Sequence, residues 1–110
     1  MRYHLVTLGC PKNTVDSERL ERLLLARSHV PTQRPSDADL LIVNTCGFID
    51  ASKEESVDAI LRLAAIKKPG QRLIAAGCMT QLYGDDVARE IPEVDHVFGV
   101  EQWEQVAALA

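Results

Sequence analysis

The sequence lacks several features that would decide a function class at once. No apolar run approaches the roughly 18 residues that cross a bilayer. The stretch Leu5 to Leu8 near the start is too short for a secretory signal. The three cysteines cannot all pair internally, and no Cys-x-x-Cys is present. A disulfide scaffold is thereby excluded, and reduced thiols in a cytoplasmic protein are expected. The glycines near the cysteines are isolated, so there is neither a Gly-x-Gly-x-x-Gly dinucleotide fingerprint nor a P-loop. Asp16 stands six positions after Cys10, where a phosphatase-type anion loop would need arginine. There are no internal repeats and no low-complexity linker.

An excess of basic charge is missing too. Lysine and arginine number 12 against 16 acidic residues, a net charge of −4. Residues 1–84 are mildly basic, and residues 85–110 carry Arg89 alone against seven carboxylates. That is not the footprint of a domain that grips a phosphate backbone, so direct nucleic-acid binding is not expected. An acidic flank favours a basic partner, or it simply solvates a surface. What is present is the composition of a soluble globule, 46% hydrophobic and 25% charged, in a chain long enough for one core and too short for two domains.

Short apolar runs alternate with longer amphipathic ones. Tyr3–Leu8, Leu40–Asn44, Arg72–Ala76 and His96–Phe98 are expected as strands. LLIVN is continuously apolar until its end, as in a parallel strand covered on both faces. A weak strand near Val30–Gln33 is confined to a sheet edge by Pro31. Helices fall between. The first is expected to be capped by Asn13 and to run to about Arg27, with Asp16 and Glu18 in its first turn. The second carries Val57, Ile60, Leu61, Ala64 and Ala65 on one stripe, with Ser52 and Glu55 at capping-box spacing and Pro69-Gly70 as its stop. A third lies within Met79–Glu90, bent at Gly84, and a fourth begins near Glu101 with Trp103, Val106, Ala107 and Ala110 on one face. The alternation predicts an α/β fold: an open parallel sheet of four to five strands with helices on both faces. The chain stops in mid-helix by pattern, so residues 1–110 are expected to be the amino-terminal domain of a longer protein.

The cysteines fall at strand ends. Cys10 follows the first strand after Gly9, Cys46 follows LLIVN and precedes Gly47, and Cys78 follows RLIAA after Gly77. In a parallel sheet all such turns lie on the carboxyl edge, where open α/β sheets place ligands. Glycine beside each thiol lets the backbone approach a bulky ligand, and helix-start amides can stabilise thiolates and an anionic group. Asn13, Asn44 and Thr45 flank the same cysteines. Three thiolates fit an iron–sulfur cluster with one iron left open, or a zinc site with a fourth position free. His4, His29 and His96 are expected to be structural.

LGCPKNTVDSE (Leu8–Glu18), VNTCGFIDASKEES (Val43–Ser56) and AAGCMTQLYGDDVAREIPEVDHVFG (Ala75–Gly99) together resemble the amino-terminal domain of the radical S-adenosylmethionine methylthiotransferases. The resemblance covers nearly the whole chain. Pro-Lys-Asn after Cys10 and Gly-Phe-Ile after Cys46 resemble the RimO type, which modifies an aspartate of a small-subunit ribosomal protein, rather than the transfer-RNA-modifying MiaB type. The resemblance implies a flavodoxin-like sheet, with Cys10, Cys46 and Cys78 holding an auxiliary [4Fe-4S] cluster. Gly9, Asn13, Asn44, Thr45, Gly47 and Gly77 would line it. A second [4Fe-4S] cluster and S-adenosylmethionine would belong to a further domain through a Cys-x-x-x-Cys-x-x-Cys motif, and a third domain would help bind substrate.

That motif is absent from these residues, so the isolated domain is expected to be inactive alone, and no catalytic residue is assigned within it. Leu82 stands where a basic residue is expected after Gln81. The segment Ser28–Pro35 lacks the usual glycine after the first helix, which predicts a displaced second strand. A flavodoxin-like module binding a flavin or a protein is the alternative of a different class. A zinc hydrolase-like site is disfavoured, because no glutamate or histidine joins the cysteine turns.

Overall fold

The structure, a computed structural model, describes residues 2–8, 11–45, 50–99 and 102–109. Of these, the side chains at 11–13, 50–53, 78–79, 81–82 and 109 lie outside the description. Strands β1 (Arg2–Thr7), β2 (Val30–Pro31), β3 (Leu40–Thr45), β4 (Arg72–Gly77) and β5 (His96–Phe98) alternate with helices α1 (Pro11–Ala26), α2 (Asp50–Ile66), α3 (Cys78–Glu90) and α4 (Trp103–Leu109). All strand pairs are parallel and the order is β2-β1-β3-β4-β5, the flavodoxin-like order. The chain leaves β1 toward one side of the sheet and resumes at β3 on the other, so its direction switches between these two strands.

β3 is central and buried along all six residues. Its side chains alternate between two cores. Leu40 and Ile42 join Tyr3, Ile74, Leu20 and Leu24 of α1, and Trp103, Val106 and Ala107 of α4. Leu41 and Val43 join Leu73 and Ala75, Ile60 and Leu63 of α2, Val87 of α3, and Ile91 just after it. Each fully buried Leu, Ile or Val among them contributes on the order of 1.5–3 kcal/mol. Of the stripe expected on α4, Trp103, Val106 and Ala107 are core and Ala110 lies outside the described residues; of that on α2, Ile60 is buried, Val57 and Ala64 are half-buried, and Leu61 and Ala65 are exposed.

Two helix starts differ from expectation. α1 opens at Pro11, so Asn13 is its third residue rather than its cap, and no acidic residue falls in its first turn. Proline suits the first helical position, where its missing N–H had no partner in any case. α2 opens at Asp50, which places Ser52 inside the helix and not before it. The bend in α3 is present, with non-helical angles at Tyr83, one residue before Gly84. Gly84 packs against β5: a Cβ there would come within 3.0 Å of Val97 Cγ1.

The second strand pairs with β1 at the edge of the sheet, Arg2 opposite Val30 and Tyr3 opposite Pro31. Without the usual glycine, Ser28 itself adopts φ 67. Ser28 N donates to Leu25 O at 3.0 Å and His29 N to Leu24 O at 3.0 Å, the paired bonds that close a helix in a left-handed turn. His29 is thus buried at a helix stop. His4 Nδ1 donates to Thr32 O at 3.0 Å, and the His96 ring stacks on Phe98 with centroids 6.2 Å apart.

Candidate functional site

The three strands that precede the cysteines are neighbours and end nearly level. Thr7 is opposite Asn44, Asn44 opposite Ala76, and Thr45 opposite Gly77. Adjacent strands lie about 4.8 Å apart, so these ends span about 10 Å at the carboxyl edge. Cys46 is the residue after β3, Cys10 the third after β1, and Cys78 opens α3. Gly9, Cys10, Cys46 and Gly47 themselves lie outside the described residues, as do the side chains of Asn13, Cys78, Gln81 and Leu82. Among the described residues, no group of three or more His, Cys, Asp or Glu is placed to hold a metal.

The described part of this edge is a polar knot beneath the cysteine segments. Asn44 is fully buried in β3, and its Nδ2 donates to Ser17 Oγ of α1 at 3.0 Å. Ser17 Oγ also shares a hydrogen bond of 2.6 Å with Thr7 Oγ1. Thr45 turns to the other face of the sheet, where its hydroxyl donates to Ala76 O at 2.7 Å. Leu8 N donates to Asn44 O at 3.2 Å, prolonging the β1–β3 pairing past Thr7. Asn44 and Thr45 therefore hold strand ends and α1 together. Sequence reasoning placed them near the site for their neighbours, not for this role.

Gly77 has φ 109, a conformation that side chains rarely adopt. A Cβ on it would fall 2.6 Å from Asn44 Oδ1 and 2.7 Å from Thr45 O. Only glycine lets β4 come this close to β3 immediately before Cys78. On the far side, Thr80 Oγ1 donates to Phe98 O at 2.6 Å and lies 3.1 Å from Gly77 O, which pins the first turn of α3 to the end of β5. Cys78 is the first residue of α3 and follows Gly77 directly.

Beside this turn a shallow cleft of about 240 Å³ is lined by Thr80, Gly84, Asp85, Val97, Gly99 and Gln102. A larger cleft of about 400 Å³ lies between α2 and α3, with Val57, Leu61 and Tyr83 beside Asp86 and Glu90. It is the better enclosed space, but it lies on the helical face and not at the strand ends.

Sequence reasoning missed Ser17, Thr7 and Thr80. Ser17 left a signal: with Leu20 and Leu24 it lies on one buried helical stripe, so a polar residue interrupts an apolar face.

Residues 2–99 match the model of the family described as "Uncharacterized protein family UPF0004". The chain belongs to that family. It is 50% identical over 109 residues to the ribosomal protein uS12 methylthiotransferase RimO of Chloroflexus aurantiacus, covering 99% of this chain and 24% of the relative. It is 43% identical to the protein of the same name from Herpetosiphon aurantiacus, covering 99% and 23%. With that of Carboxydothermus hydrogenoformans it shares 48% identity over 98 residues, 89% of this chain and 22% of the relative. The UPF0004 chain thus spans about a quarter of the length of the curated relatives it matches, and the resemblance seen in its three motifs is borne out by them. No helix among the described residues is long and apolar enough to cross a membrane.

Proposed function

We propose that this chain is the auxiliary-cluster domain of a radical S-adenosylmethionine methylthiotransferase of the RimO type, with Cys10, Cys46 and Cys78 as ligands of one [4Fe-4S] cluster. The observation that carries the reading is the level ending of β1, β3 and β4, each within three residues of a cysteine. The donors fit: three thiolates at a sheet edge whose described supports are neutral hydroxyls and an amide suit an anionic cluster with one iron open. When bound, the cluster supplies an iron site for the sulfur that the reaction transfers. This chain's own residues bind and orient it. Gly77 lets β4 close on β3 beside Cys78, and Asn44 and Thr45 fix the strand ends from which the ligand segments leave.

The remaining domains would hold the second cluster and S-adenosylmethionine, and a cytoplasmic small-subunit ribosomal protein, modified at an aspartate β-carbon, would be the substrate. The acidic stretch 85–110 favours such a basic partner over transfer RNA. Anaerobic reconstitution with ferrous iron and sulfide is expected to load about four irons per chain. Replacing any one cysteine by alanine should sharply lower that uptake, and full, stable loading of the triple variant would overturn the reading.

A further inference from the structure

We propose that Ser17 is a positioning residue for the thiol set, a role that rests on the reading of Cys10, Cys46 and Cys78 as ligands. Its hydroxyl meets Thr7 Oγ1 at 2.6 Å and Asn44 Nδ2 at 3.0 Å. Thr7 and Ser17 stand before and after Cys10 in the sequence, so their hydrogen bond ties the described residues on its two sides together. Asn44 stands two residues before Cys46. Its Oδ1 lies 2.6 Å from where a Cβ of Gly77, the residue before Cys78, would sit. One hydroxyl thereby links the supports of all three cysteines.

Packing alone does not account for a serine here. Position 17 is 6% exposed and shares its stripe with Leu20 and Leu24, where alanine would bury as well and is the better helix former. What alanine lacks is the acceptor for Asn44 and the partner for Thr7. No member of the knot ionises, so its geometry does not change with pH and sets no fixed charge beneath a thiolate group.

The test uses the full 110-residue chain with two probes: ferrous iron plus sulfide, and arsenite, which binds converging thiols without any cluster. The variants are Ser17→Ala, Ser17→Thr and Thr7→Val, with Asp95→Asn at the opposite sheet edge as a stability control. Ser17→Ala is expected to lose iron to a chelator about tenfold faster and to bind arsenite about tenfold more weakly, the effect of one lost hydrogen bond on geometry. The spectrum of its reduced cluster should broaden. Ser17→Thr should restore wild-type values, and Thr7→Val should show a smaller loss of the same kind. Wild-type iron retention and arsenite affinity in Ser17→Ala would overturn the proposal, as would an equal loss in Asp95→Asn. If Ser17→Ala does not fold, wild-type behaviour of Thr7→Val overturns it. Arsenite binding that weakens in Ser17→Ala, with no iron uptake by the wild type, would refute the cluster and keep the positioning role. A wild-type chain that takes up neither probe refutes both.

Discussion

At the amino edge of the sheet, charged side chains and backbone groups close the fold; at the carboxyl edge, small neutral side chains do. Arg2 N donates to Asp39 Oδ2 at 3.0 Å, while Asp39 N donates back to Arg2 O and Arg72 N to Asp39 O. Leu73 N donates to Asp95 Oδ2 at 2.8 Å, and Lys67 Nζ lies 3.1 Å from the same oxygen. Gln71 Nε2 reaches both Pro35 O and Ala38 O. The other end of the same strands rests on Thr7, Ser17, Asn44, Thr45 and Thr80. Carboxylates thus stabilise the amino edge, while the described hydrogen bonds of the carboxyl edge come from neutral groups. A carboxylate within a few ångströms of a thiolate set would oppose its ionisation. Under the proposed reading, the contrast separates an edge held by charge from a neutral one where an anionic group would bind.

Gly77→Val breaks the carboxyl edge most severely. The clash with Asn44 and Thr45 and the unfavourable φ should cost about 3 kcal/mol in urea unfolding. A loss below about 1 kcal/mol would mean that β3 and β4 can part at no great cost. Gln71→Ala breaks the amino edge. Removing a buried amide that bridges Pro35, Ala38 and Lys68 should cost about 2 kcal/mol. Iron uptake per folded chain should stay at the wild-type value, and a drop would erase the division between the edges.

Asp95→Asn sharpens the comparison through pH. Burial pushes this carboxyl up, but the Leu73 N–H, the hydrogen bond and charge of Lys67, and nearby His96 together hold it below 3.8. A lowered folded value stabilises above the unfolded pKa and is lost as pH falls through the folded one. The variant should be less stable by about 1 kcal/mol at neutral pH, a modest figure because the carboxylate is 35% exposed. Its deficit should vanish as pH drops below 3.8. A deficit that persists in acid would assign the effect to packing. The smallest change is a gain: Ser28→Gly relieves the left-handed serine and should add about 0.5–1 kcal/mol, a few degrees in Tm, without altering iron uptake.

Much of the architecture was legible because burial on both faces leaves a plain mark. LLIVN has the pattern of an inner parallel strand, and the alternation of runs set the order of elements. Helix starts were less legible. Asn13 and Ser52 carry good capping chemistry, yet α1 and α2 begin upstream of them, where Pro11 and Asp50 stand. A cap signal identifies a residue that can end a helix, not the one that does. The left-handed turn at Ser28 was legible only as a missing glycine.

The sequence by itself determined the alternation of strands and helices and put one cysteine beyond each of three strands, because both depend on residue type and spacing along the chain. The level ending of β1, β3 and β4 came from tertiary structure. So did the meeting of Ser17 with Asn44 across 27 positions and the approach of Gly77 to Asn44. These depend on strand register and on which helix face meets the sheet. Both are fixed only when the two cores on either side of β3 close at the same time.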